Sequence, residues 1–156
     1  MPLSFPRLQF PPYTFRLREI QGKHYIFDEI RKKYVALTPE EWVRQHLLQY
    51  LLRDMNYPRS SIGVEMLVTL NGMPQRCDVA IWNKYRQAVL LAECKAPHIA
   101  ISPSTFEQTA RYNLVLKVRY CLVTNGQQLY CYHLNYETNT YTFMDELPNR
   151  QTLLEV

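Results

Sequence analysis

A train of three β-like runs most constrains this chain: Val64 to Leu70, Gln75 to Trp82 and Ala88 to Lys95. Only the turn around Asn71-Gly72 and the polar stretch Asn83-Lys84-Tyr85-Arg86 separate them. Connections this short leave no room for a crossover, so the runs must pair as an antiparallel meander. The third run is apolar from Ala88 to Ala92 and then breaks into Glu93-Cys94-Lys95. Side chains alternate along a strand, so Glu93 and Lys95 project together while Cys94 turns to the opposite, buried side. Asp78, inside the second run, brings another acid toward the same region of the sheet.

Two helix starts bracket the meander. Thr38-Pro39-Glu40-Glu41 supplies a capping hydroxyl, a proline suited to the first helical position and two acids facing the positive end of the helix dipole. Trp42, Val43, His46, Leu47, Tyr50, Leu51 and Asp54 follow at helical steps and predict an amphipathic helix ending before Tyr57-Pro58. Ser102-Pro103-Ser104-Thr105 opens a second helix running to about Lys117. Tyr120 to Thr124 returns to β character, and Asn125-Gly126 reads as a two-residue hairpin turn. Upstream, Phe15 to Phe27 forms two short apolar stretches around Gln21-Gly22-Lys23, a further hairpin. The expectation is an α/β domain with a mixed sheet flanked by helices in the order α-β-β-β-α-β-β, over residues 15–156. Residues 1–14, with Pro2, Pro6, Pro11 and Pro12, read as an extended proline-rich arm ahead of that hairpin.

Composition removes several function classes. The chain has 156 residues and a formal charge of +4, mildly basic and favouring an anionic partner. No segment approaches the roughly 20 apolar residues of a membrane span, and none resembles a secretory leader, so a cytoplasmic protein with no membrane partner is expected. Cys77, Cys94, Cys121 and Cys131 lack zinc spacing and read as reduced, packed thiols. His24, His46, His98 and His133 likewise form no metal pattern, and no GxSxG elbow is present. Gly22, Gly63, Gly72 and Gly126 fall in neither a dinucleotide fingerprint nor a Walker-A loop. Tyr130, Tyr132 and Tyr136 could stack unpaired bases, although alternating tyrosines are also ordinary strand composition.

Asp78, Glu93 and Lys95 together match the needs of phosphodiester hydrolysis. Two carboxylates suit a hard cation such as Mg²⁺ or Mn²⁺, which acidifies water and polarises a phosphoryl oxygen. A neighbouring lysine can orient or deprotonate that water or offset developing charge. Gln108 and Tyr112, four apart on the second helix, share one face and can hold a phosphate with neutral hydrogen bonds.

The ordered segments Phe27-Asp28-Glu29-Ile30-Arg31-Lys32-Lys33-Tyr34-Val35, Leu37 to Gln45, Arg76-Cys77-Asp78-Val79-Ala80, Glu93-Cys94-Lys95-Ala96-Pro97, Gln108-Thr109-Ala110-Arg111-Tyr112-Asn113 and Val123-Thr124-Asn125-Gly126 carry a resemblance. Over about residues 25 to 130 the chain resembles the N-terminal nuclease domain of type I restriction-enzyme R subunits, within the PD-(D/E)xK nucleases. The resemblance implies a restriction-endonuclease-like core and Mg²⁺- or Mn²⁺-dependent DNA cleavage. It assigns Asp78 and Glu93 as metal ligands, the Cys94 backbone carbonyl as another and Lys95 as the catalytic lysine. Gln108 and Tyr112 match the Q-xxx-Y element of RecB-like members, where they would position substrate. Glu41 matches a position where many members place an additional acid, which could serve as a further metal ligand, although an acid in a first turn is equally explained by the helix dipole; Glu65 is a further acid without an assigned part. Arg76-Cys77 stands where the superfamily carries its naming proline. No Walker-A pattern is present, so a translocase or other protein would act in trans. The alternative is a nucleic-acid-binding or assembly module that keeps the fold without turnover.

Overall fold

The computed structural model describes residues 5–155, so the first four residues of the expected arm lie outside it. Residues 5–16 lack helix or strand. They lead into a three-stranded antiparallel sheet of β1 (Leu17–Ile20), β2 (Lys23–Asp28) and β3 (Lys33–Ala36). The expected hairpin is present with its turn at Gln21-Gly22, where both residues take positive φ. The third strand went unforeseen because Lys32-Lys33 and Tyr34 interrupt any apolar alternation.

Helix α1 (Pro39–Gln49) starts as expected, with the Thr38 hydroxyl accepting the Glu41 N–H. A π-helical turn over Tyr50–Asp54 then carries the chain to Tyr57. The periodicity implied one buried stripe, but Glu41, Val43 and every residue from Arg44 to Gln49 are buried. The arm covers the flank that would otherwise face water, with Phe5 and Phe15 against Trp42 and Phe10 against His46.

The main sheet has six strands in the order β4-β5-β6-β7-β8-β9. Strands β4 (Ile62–Leu70), β5 (Met73–Trp82) and β6 (Ala88–Cys94) form the expected antiparallel meander. Helix α2 (Pro103–Leu116) then carries the chain over, so that β7 (Tyr120–Thr124) pairs parallel to β6 and the sheet is mixed. Strands β8 (Leu129–Asn135) and β9 (Thr140–Met144) extend it antiparallel, and α3 (Arg150–Leu154) follows. Pairing between β7 and β8 ends at Thr124–Leu129, so the turn spans Asn125–Gln128 instead of closing on Asn125-Gly126. The Asn125 carboxamide oxygen accepts the Gln127 and Gln128 N–H groups, a side-chain turn that displaces the hairpin centre by one residue.

Two apolar clusters cover the two faces of the sheet. One joins Val43, Leu47, Leu48 and Leu51 of the first helical segment to Val64, Val79, Ile81, Leu90 and Ala92. The other joins Ala110, Leu114 and Leu116 at α2 to Val68, Ala80, Leu91, Cys121 and Tyr132. Val64 and Val68 are of like parity on β4 yet belong to opposite faces. Between them Glu65 adopts a left-handed φ of 50°, which re-phases the strand. Strand β5 switches beside it: Val79 packs in the first cluster and Cys77 against the second.

Candidate active site

The switch in strand phase makes the site. Glu65 lies between the pairs Val64–Val79 and Met66–Cys77, directly across from Asp78. On the other side, pairing between β5 and β6 reaches Val79–Ala92 and goes no further, leaving Asp78 and Glu93 as the first unpaired positions. Glu65, Asp78 and Glu93 therefore form one row across three neighbouring strands. The Cys94 N–H, freed from the ladder, donates to Asp78 Oδ2 at 2.8 Å. Lys95 continues from β6, its N–H donating to the Thr124 carbonyl at 2.8 Å and its Nζ donating to Glu93 Oε1 at 2.8 Å.

These residues line a cleft of about 680 Å³ whose walls also include Glu40, Gln75, Arg76, Gln108, Thr109 and Tyr112. Asp78, Glu93, Lys95, Gln108 and Tyr112 thus share one space. The Tyr112 hydroxyl donates to Gln75 Oε1 at 2.5 Å, tying α2 to β5 across the cleft. Cys94 is buried within the cluster packed on α1, and burial pushes its thiol well above the ordinary range, with the Asp78 charge adding to it. Cys77, Cys121 and Cys131 are also free thiols.

Glu41 stands behind the cleft. Its carboxylate accepts from Arg31 at 2.9 Å, Gln45 at 3.2 Å and Arg44 at 3.4 Å. The neighbouring Glu40 lines the cleft instead. Arg44, although nearly buried, reaches Glu65 at 3.1 Å and Asp78 Oδ1 at 3.3 Å as well. Arg31 is the second cation of the network and contacts Glu65 at 3.3 Å. Fully buried Asp28 fixes Arg31 by accepting its N–H and its Nε and by holding Gln45.

The charges respond to these contacts. Desolvation raises the Asp78 pKa, opposed by the Cys94 N–H and by Arg44. Burial also lifts Glu40, with the Asp78 charge adding to it. For Glu65, burial works upward but is outweighed by the hydrogen bond and charge of Arg44 and by Arg31, so its pKa falls. The hydrogen bond to Glu93 is the main reason the Lys95 pKa rises, which keeps it an ammonium near neutrality.

Sequence reasoning did not find Arg31, Arg44 or Asp28. One signal was present: Glu41, Arg44, Gln45 and Leu48 lie at helical steps on α1, so a polar trio shares a face with a core leucine. Of the three tyrosines considered for stacking, Tyr132 is fully buried with its hydroxyl on the Phe106 carbonyl, and Tyr130 stacks on Phe106. Tyr136 alone of them is exposed.

Among the described residues no helix is long and apolar enough to cross a membrane. A search of curated proteins finds no match to the chain. Among solved structures, the chain resembles a fragment of a type I restriction enzyme HsdR subunit from Vibrio vulnificus YJ016, at 15% identity and a TM-score of 0.48. The alignment covers 69% of this chain and 23% of that one, so the chain spans under a quarter of its length. The family model for the type I restriction enzyme R protein N terminus matches residues 39–148, from the start of α1 through β9. With more than half of its length matched, and the cleft residues inside the match, the chain belongs to the family of type I restriction enzyme R protein N-terminal domains.

Proposed function

We propose that the cleft is a divalent-metal-dependent nuclease centre of PD-(D/E)xK type that hydrolyses DNA phosphodiester bonds. The observation that carries this reading is the opened row: Asp78 and Glu93 are where β5 and β6 part, with Lys95 just beyond, at the wall of a cleft. On the side facing β5 these positions have left the ladder, while β6 stays paired to β7, so two acids and a lysine hold charge at a fixed strand end where an anionic substrate can reach it.

The donor set fits a small, hard cation. Asp78 and Glu93 offer carboxylate oxygens, and the Cys94 carbonyl is a third oxygen donor in the proposed set. Among the described residues no three His, Cys, Asp or Glu side chains stand together as a metal cage. Mg²⁺ tolerates this because it retains several waters and needs only one or two carboxylates. When bound, such a cation supplies an acidified water and a polarised phosphoryl oxygen.

The remaining steps belong to the chain's own residues. Lys95, held as an ammonium by Glu93, fits charge stabilisation of the phosphate better than proton abstraction. Gln108 and Tyr112 are exposed neutral donors on one face of α2, suited to positioning a strand. Glu41, enclosed by Arg31, Arg44 and Gln45, anchors the cations behind the acids. As a domain of a family named for restriction R proteins, the chain would act on DNA alongside a translocase or other subunits.

The test is cleavage of linear, circular and single-stranded DNA with Mg²⁺ or Mn²⁺ against EDTA, beside Mn²⁺ calorimetry. Asp78→Asn is expected to lose Mn²⁺ binding. Lys95→Ala should keep it while single-turnover cleavage falls by about 10² to 10⁴. A Lys95→Ala protein cutting at the parental rate removes the assignment. One observation favours the non-catalytic reading: Arg44 and Lys95 already neutralise Asp78 and Glu93. Metal binding without cleavage of any DNA form, with partners supplied, would support that module.

A further inference from the structure

The small sheet β1–β2–β3 has two unlike faces. Its inner face carries Ile26 and Asp28, both fully buried. Alternation and register put Arg16, Arg18, Lys23, Tyr25, Phe27 and Tyr34 on the other. There the Arg16 guanidinium lies 4.0 Å from the centre of the Phe27 ring, and that of Arg18 lies 4.1 Å from the centre of the Tyr34 ring. Arg16, Arg18 and Lys23 are exposed, and β1 is exposed along its whole length. The acid of β1, Glu19, pairs with His24 on the alternate side.

We propose that this face is a docking platform for the phosphate backbone of duplex DNA. Three cations and no acid on one exposed sheet face make a complementary surface for a polyanion. Stacking on Phe27 and Tyr34 holds two guanidiniums flat and outward, removing rotamer freedom that a lone surface arginine would lose on binding. The inner face turns to the charges behind the cleft instead, where Asp28 holds Arg31 and Arg31 contacts Glu41 and Glu65. The outer cations are not engaged in that network and offer a polyanion a surface of their own. Contacts of this kind fix orientation and affinity without reading bases.

The partner, though not the surface chemistry, rests on the reading of the cleft as acting on DNA. The test is fluorescence anisotropy of a short labelled duplex in EDTA, over a series of salt concentrations. Arg16→Gln/Arg18→Gln should weaken binding by roughly tenfold and flatten the salt dependence by roughly 0.9 for each phosphate that is no longer neutralised. Lys84→Gln, which removes one exposed cation in the β5–β6 turn at the far end of those strands, should leave both unchanged. Circular dichroism and urea unfolding of the double variant report its fold. Unchanged affinity and slope in a folded double variant would overturn the platform, leaving the arginines as covers for two half-buried rings. Loss of affinity for a single strand but not for the duplex overturns it in favour of unpaired bases. Absence of duplex binding by the parent overturns it too. Cleavage with Mn²⁺ separates the two readings: a parent that binds through Arg16 and Arg18 but never cuts retains the platform and loses the nuclease.

Discussion

Arg44 is the residue on which the cleft's electrostatics turn. It is nearly buried and touches Glu41, Glu65 and Asp78 within 3.4 Å, so it acts as an internal counter-cation for acids that would otherwise repel one another. A metal ion near Asp78 competes with it. Arg44→Gln is therefore expected to destabilise the metal-free protein by up to about 3 kcal/mol, below the full cost of an orphaned buried charge because Glu41 and Glu65 keep Arg31 and Asp78 keeps the Cys94 N–H. The same variant should gain more in thermal midpoint on Mn²⁺ addition than the parent does. An equal gain in both proteins would mean that Arg44 and the cation do not share Asp78. Asp78, Glu93 and Lys95 were legible in the sequence because strand alternation and spacing bear on them directly. Arg44 was not: its step from Glu41 and Gln45 places it on one face of α1, but nothing local tells that its further partners are Glu65 of β4 and Asp78 of β5.

At the scale of elements, the decisive event is the switch of β4 and β5 from one face of the sheet to the other. Glu65 performs it with a φ of 50°, a conformation that non-glycine residues rarely adopt. Backbone strain of this kind is held by surrounding contacts, here Arg31 and Arg44 on the Glu65 carboxylate. Glu65→Asn and Glu65→Val both remove the carboxylate, but asparagine tolerates positive φ and β-branched valine does not. The valine variant should be less stable than the asparagine variant by about 1 to 3 kcal/mol in urea unfolding. Equal stability would show that β4 relaxes without the left-handed residue. Meander, helix starts and chain order were readable because each rests on a local signal: alternation, a proline-preceded cap, a short turn. Re-phasing had no such signal, since Val64 to Leu70 scans as one continuous strand. Strand β9 and helix α3 were missed for a related reason: Thr140–Met144 is half exposed at a sheet edge, and α3 has only five residues.

For the whole molecule, the segment ahead of β1 packs as part of the body. Leu8 is buried in the core facing α1 and sits against Gly126, where an added Cβ would meet it at 2.7 Å. Gln9 N–H donates to the Gly126 carbonyl at 2.7 Å, joining this segment to the β7–β8 turn. Proline composition alone announced an extended chain but gave no destination, because partners such as Trp42 and Gln127 lie 36 and 120 residues away in sequence. The segment also encloses His46, whose ring contacts Phe10, Tyr13, Phe15 and Trp42. Burial lowers the His46 pKa, opposed by its hydrogen bond to the Trp42 carbonyl at 2.8 Å. A histidine kept neutral when folded regains its ordinary pKa of about 6.5 when unfolded, so the unfolded chain binds the extra proton. The resulting stability is fully present above that value and is lost as pH falls below it toward the lowered folded pKa. His46→Gln cannot take up the proton in either state, so its decline in urea stability between neutral and mildly acidic pH should be shallower than the parent's. Parallel declines would place the acid sensitivity elsewhere, and would mean that the aromatic segment covers His46 without holding it neutral.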